Sequence, residues 1–102
     1  MFPKSDLIGI GEHEIINNSH VSQNFPNPFS STSTVTVELQ EASNLSLVVT
    51  NMTGQKVLEI NKGNVAAQTH TFTIDASSFQ SGIYFYTVTA GDSQVTRKMI
   101  VE

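Results

Sequence analysis

From Thr32 onward apolar and polar residues alternate with a period of two. That rhythm restricts the chain to strands that bury one face and show the other to water. Val35, Val37 and Leu39 alternate with Thr34, Thr36 and Glu38, and Leu45, Leu47 and Val49 with Ser46 and Val48. His70, Phe72 and Ile74 alternate with Thr69, Thr71 and Thr73. Lys56–Asn61 reads as a further strand, ended by Gly63-Asn64, and Ile83–Ala90 and Gln94–Val101 complete the set. Within Ile83–Ala90 the interior parity is Tyr84, Tyr86, Val88 and Ala90, so both phenol hydroxyls need partners at the rim of the core. Ile83 and Phe85 on the opposite parity mark a central strand covered in part on both faces.

The punctuation agrees with this reading. In the turn Asn51-Met52-Thr53-Gly54-Gln55, Gly54 supplies a positive φ that other residues resist. Gly91-Asp92-Ser93 closes the last hairpin. Asp75–Gly82 is the most irregular connection, with Asp75 set to accept backbone N–H groups just downstream and Phe79 to plug one end of the core. The chain carries 12 Ser and 11 Thr, residues that suit turns and strands, and lacks long helix-forming runs. The expected fold is an all-β, antiparallel β-sandwich of about seven short strands.

At 102 residues there is room for one such domain. Residues 1–23 differ from the rest. They show no sustained period, and Lys4 against Asp6, Glu12 and Glu14 gives −2, half of the chain's net −4. They read as a flexible tether with a candidate short edge strand at Leu7–Ile10, leaving residues 24–102 as the sandwich. The acidic balance argues against a nucleic-acid partner, which demands a basic face. No run is long enough to span a bilayer as a helix, and Met1-Phe2-Pro3-Lys4 leads into no signal-peptide core. With no Cys, disulfides, thiolate chemistry and Cys-bound zinc are excluded.

No catalytic constellation stands out. His13 and His20 lie in the tether with a spacing that fits no metal motif, and His70 shares parity with Phe72, which makes it a hydrogen-bonded residue at the edge of the core. No Ser sits in a nucleophile elbow, and Asp75 is explained as a local cap. No catalytic, cofactor or metal residue is assigned. A small hydrolase built from Asp75, His70 and a Ser is the weakest of the readings kept open. An accessory module of an extracellular enzyme, Ig-like or fibronectin-like, spacing or binding carbohydrate, is the stronger alternative.

One series of passages goes beyond generic β-structure. Gln23-Asn24-Phe25-Pro26-Asn27-Pro28-Phe29 opens the folded region, stiffened by Pro26 and Pro28 and flanked by Phe25 and Phe29 as anchors to the sandwich end. It is followed by Thr34-Val35-Thr36-Val37-Glu38-Leu39, then Asn51-Met52-Thr53-Gly54-Gln55-Lys56-Val57. Ser81-Gly82-Ile83-Tyr84-Phe85-Tyr86 and Thr96-Arg97-Lys98-Met99-Ile100-Val101 complete the order. In order and spacing this series resembles the type A C-terminal sorting domain of the type IX secretion system, over about residues 23–102. Phe25 stands where that family often has Tyr.

The resemblance implies an Ig-like sandwich that acts as an address without catalysis. It implies an N-terminal cargo domain missing from this chain, and recognition by the outer-membrane secretion apparatus. It implies transit through the periplasm to the cell surface or medium, and removal by a sortase-like cysteine peptidase as the cargo joins surface lipopolysaccharide. Phe25, Pro26, Asn27, Pro28, Phe29, Gly54, Gly82 and Tyr84 then carry the family motif. Arg97, Lys98, Met99, Ile100, Val101 and Glu102 become candidates for recognition by the translocon. Mechanistically, the last strand is expected to offer its free edge to a partner strand, with Arg97 and Lys98 setting register or merely guarding the edge. Cleavage is expected in the tether, between Ile10 and Asn24.

Overall fold

The structure, a computed structural model, describes residues 16–102. Their strands are β1 (Thr32–Glu38), β2 (Ser43–Thr50), β3 (Lys56–Val65), β4 (Thr69–Asp75), β5 (Gly82–Ala90) and β6 (Ser93–Val101). A two-stranded sheet, β1-β4, faces a four-stranded sheet ordered β3-β2-β5-β6, and every pairing of these strands is antiparallel. The architecture is therefore the expected sandwich, with six strands among the described residues where about seven were expected. The candidate edge strand at Leu7–Ile10 lies outside the described residues.

The period of two sets which side chains enter the core. Val35 and Val37 of β1 and Phe72 and Ile74 of β4 meet Leu45, Leu47, Val49, Tyr86, Val88, Val95 and Met99 of the larger sheet in one buried cluster. β5 lies between β2 and β6, so hydrogen bonds hold both its flanks. Its Tyr84, Tyr86, Val88 and Ala90 point inward, while Ile83, Phe85, Thr87 and Thr89 are half-buried on the outer face.

Two local readings change. β3 does not stop before Gly63-Asn64 but continues to Val65. The register slips between Leu45 and Ser46 of its partner, so a β-bulge absorbs the extra residue and the ladder resumes. Residues 16–23 are also not loosely held. Ile16 and Val21 are each 1% exposed and belong to the core cluster. A short 3-10 turn at Asn18–His20 is closed by a capping box, in which Asn17 accepts from Ser19 N and His20 Nδ1 accepts from Asn17 N. Val21 then bridges to Val37, and Ser22 N donates to Thr36 O at 2.9 Å. Ile16, beside Ile15, and Val21 are separated by a polar run and give no period, yet both are buried in the core cluster.

Candidate functional site

The motif passages, scattered through the chain, converge at one end of the sandwich. The convergence begins with Tyr86, whose ring is fully buried. Its hydroxyl donates to Ser22 O at 2.8 Å and accepts from Asn24 N at 3.0 Å, which pins the incoming strap across the larger sheet. Burial pushes the Tyr86 hydroxyl above its ordinary pKa, while the Asn24 N–H and the Arg97 charge pull the other way. The Arg97 guanidinium adds a second pin, with Nε donating to Val21 O at 2.9 Å.

Asn24 and Ser33 are buried polar side chains, and each is satisfied, as burial demands. Asn24 Nδ2 donates to Ser33 Oγ at 2.9 Å and to Pro26 O at 3.1 Å, and Ser33 Oγ donates to the same carbonyl at 2.7 Å. Phe25 exchanges two backbone hydrogen bonds of 2.9 Å with Thr34. The loop is thereby fixed along its length, and the bonds preceding Pro26 and Pro28 are both cis. Its two aromatic residues have opposite fates. Phe29 is buried in the core, in keeping with an anchor, whereas Phe25 is 79% exposed and its ring is not buried among the described residues. The Thr34 pairing decides this: β1 buries Ser33 and Val35, and the Phe25–Thr34 pair falls on the outward parity. Phe79, expected to plug the core, is partly buried against it.

The loop also settles the state of the last strand. Phe29 N donates to Ile100 O at 3.1 Å, Glu102 N to Phe29 O at 2.8 Å, and Ile100 N to Asn27 Oδ1 at 3.0 Å. Gln23 Nε2 donates to Lys98 O at 2.8 Å. The outward backbone groups from Lys98 O to Glu102 N are thus taken by the chain's own residues 23–29, in a short parallel bridge at Phe29–Val101. The expected free edge over Lys98–Glu102 is not there. Of the terminal residues, Met99 and Val101 face the core, Arg97 is half-buried, and Lys98, Ile100 and Glu102 are exposed.

Gly82 pairs with Val101, so the second group of motifs adjoins the first. The turn at 51–55 is organised by one side chain, Asn51, whose Oδ1 accepts from Thr53 N, Thr53 Oγ1 and Gln55 N at 2.8–3.0 Å. Gly54 takes φ +89° there, as expected, with open space where a Cβ would project. Its conformation requires glycine, not its surroundings. Residues 51–53 and 80–84 line an open cleft of about 260 Å³. Beneath it Tyr84 donates to Gln80 O at 2.8 Å and stacks on Phe79 with ring centroids 5.1 Å apart.

The polar residues weighed for catalysis are apart. His70 and Asp75 lie toward opposite ends of β4, five residues or roughly 16 Å of strand from each other. His70 Nε2 bonds Ala66 O at 2.8 Å, and Asp75 Oδ1 accepts from Ser77 N at 3.0 Å, which lowers the Asp75 pKa. Among the described residues no group of acidic, His or Cys side chains is placed to hold a metal, and no helix is long and apolar enough to cross a membrane.

The strap from Val21 to Asn24 was missed in the sequence. A signal existed in Tyr86, whose buried hydroxyl required an acceptor and a donor from somewhere. The profile of one protein family, described as a secretion system C-terminal sorting domain, matches residues 23–102. No curated protein matches the chain.

Proposed function

The chain belongs to the family of secretion system C-terminal sorting domains, the sorting signal of type IX secretion, and from that premise we propose that it serves as a non-catalytic tail that carries an N-terminal cargo across the outer membrane. The family role implies engagement with the type IX machinery and export to the cell surface or medium. Passage through the periplasm, removal of the domain by a sortase-like cysteine peptidase and anchoring of the cargo belong to this proposal.

The observation that carries it is the convergence of the motifs. Asn24–Phe29, Asn51–Gln55, Gly82–Tyr84 and Lys98–Glu102 are far apart in sequence and adjoin at one end of the sandwich. Packing alone explains Phe29, Met99 and Val101. It does not explain an exposed Phe25 held by a satisfied buried network. A folded composite surface suits an address read by a protein better than it suits a substrate site.

The docked strap moves the proposed processing point. A peptidase needs backbone that can enter its cleft extended and unpaired. Residues 16–24 are packed and hydrogen-bonded, so the cut is placed N-terminal to Ile16, narrowing the earlier window of Ile10 to Asn24.

A periplasmic reporter fused ahead of the full chain tests the proposal in a host that has the type IX system. The reporter is expected at the surface or in the medium, and its retention in the periplasm would refute the assignment. Binding to a polysaccharide array with no change in export on deleting the domain would favour the accessory-module reading.

A further inference from the structure

We propose that the strap from Val21 to Phe29 is a shear clamp, which keeps the domain folded when the chain is pulled between what precedes Ile16 and a holder at Glu102. The inference goes beyond the sorting role and rests on the path of the chain alone.

The two points of load lie at opposite ends of one pair of neighbouring segments. Val21 is opposite Val37, close to the Glu38 end of β1, and its carbonyl accepts from Arg97 Nε. Phe29 bridges Val101 in parallel sense and accepts from Glu102 N. The strap therefore runs in the same direction as Arg97–Glu102, over roughly 16 Å of strand. A pull backward on the strap at Val21 and forward on β6 at Glu102 slides one along the other.

Direction matters because hydrogen bonds between neighbouring strands run across from one to the other. Loaded along the strands they share the force and fail together. Loaded from one end they fail in turn. Toward β6 the strap has Arg97 Nε on Val21 O at 2.9 Å, Gln23 Nε2 on Lys98 O at 2.8 Å and Ile100 N on Asn27 Oδ1 at 3.0 Å. Phe29 adds its two backbone bonds, to Ile100 O and from Glu102 N. On the other flank Ser22 and Phe25 bond Thr36 and Thr34 of β1. Tyr86 of the four-stranded sheet takes Ser22 O and Asn24 N. Both sheets thus grip the strap, and it cannot slide without breaking both sets of bonds.

A second direction of pull provides the contrast. Gly82 pairs with Val101 and Ala90 with Ser93, so Asp92, at the tip of the β5–β6 hairpin, lies on the side away from Phe29. Force applied between the chain's N-terminus and Asp92 lifts the strap from its Val21 end, one bond after another.

Single-molecule pulling tests this on the full chain, which has no Cys, so introduced thiols are unique handles. One form is held at its two termini, the other at its N-terminus and D92C. The first is expected to unfold at the higher force. In that geometry Y86F should raise the unfolding rate under load roughly tenfold and N27A roughly threefold, from the bonds each deletes. Both should change the second geometry much less. Y84F, whose hydroxyl bonds Gln80 O off the strap, is the control and should move neither. If Y86F unfolds without load, N27A decides, since Asn27 is exposed and loses no packing. Equal forces in the two geometries would overturn the clamp. A direction dependence that survives N27A and Y86F unchanged would overturn it too. Neither result touches the sorting role, which reporter location tests separately.

Discussion

Replacing Tyr86 by Phe isolates the pin that holds the strap. Phe fills the same ring volume, so the change deletes one oxygen and leaves the core packing intact. That oxygen serves two backbone groups, Ser22 O at 2.8 Å and Asn24 N at 3.0 Å. Each neutral hydrogen bond contributes about 0.5–1.5 kcal/mol net, and a buried group left without a partner costs about 1–3 kcal/mol. Asn24 N is buried and bears the full cost, while Ser22 O is reached more easily by water. The sum is roughly 2–3 kcal/mol, or about 10–20 °C in Tm for a domain of this size. Tyr84→Phe is the internal reference. Its hydroxyl makes one part-buried bond, to Gln80 O, so it should cost only roughly 0.5–1.5 kcal/mol. Thermal melts followed by circular dichroism measure both, and hydrogen exchange at the Asn24 amide should accelerate in Y86F alone. A Y86F melt as high as that of Y84F, with the Asn24 amide still protected, would refute the role given to the pin.

Other consequences follow from the same contacts. F29A should cost about 3–5 kcal/mol, because the ring plugs the core, whereas F25A should change stability by less than about 0.5 kcal/mol; urea melts of the two variants compare them directly. A chain starting at Asn24 loses the burial of Ile16 and Val21, worth about 1.5–3 kcal/mol each, and should unfold far earlier than one starting at Ile16. Tyr86 keeps its proton in the folded state above pH 10.0, its ordinary value, so the unfolded chain binds fewer protons there and stability falls as pH rises past that point. Y86F should remove that alkaline slope. Asp75 is shifted the opposite way, so its contribution is present above its ordinary value of 3.8 and fades as pH drops below it; D75N should flatten the acid limb of a stability–pH curve.

The alternation of Val, Leu and Thr was enough to place β1, β2, β4 and β5 and their buried parities, because a one-residue slip would turn each hydrophobic set to water. Gly54 and Asp75 were legible for the same local reason, a conformation or a hydrogen bond that only a few residue types supply. What escaped the sequence depended on distant partners. Ile16, next to Ile15, and Val21 follow no rhythm, and only the strap's pairing with β1 through Val21 and Val37 shows how the segment reaches the core. The bulge in β3 disguised a continuing strand as a stop at Gly63. Phe25 and Phe29 look equivalent as flanks of two prolines. The register of Phe25 against Thr34 on the outward parity of β1 turns its ring out, while the bridge of Phe29 to Val101 goes with a buried ring. The closure of the β6 edge was invisible for the same reason, since it depends on residues 23–29 returning beside residues 98–102.

The most direct measurement is the location of a reporter carrying this domain as its tail, compared between a host with the type IX system and an otherwise identical host without it. Reporter reaching the outside only where the system is present is the predicted result. Equal periplasmic retention in both hosts, with the domain folded and the reporter active, would contradict the account.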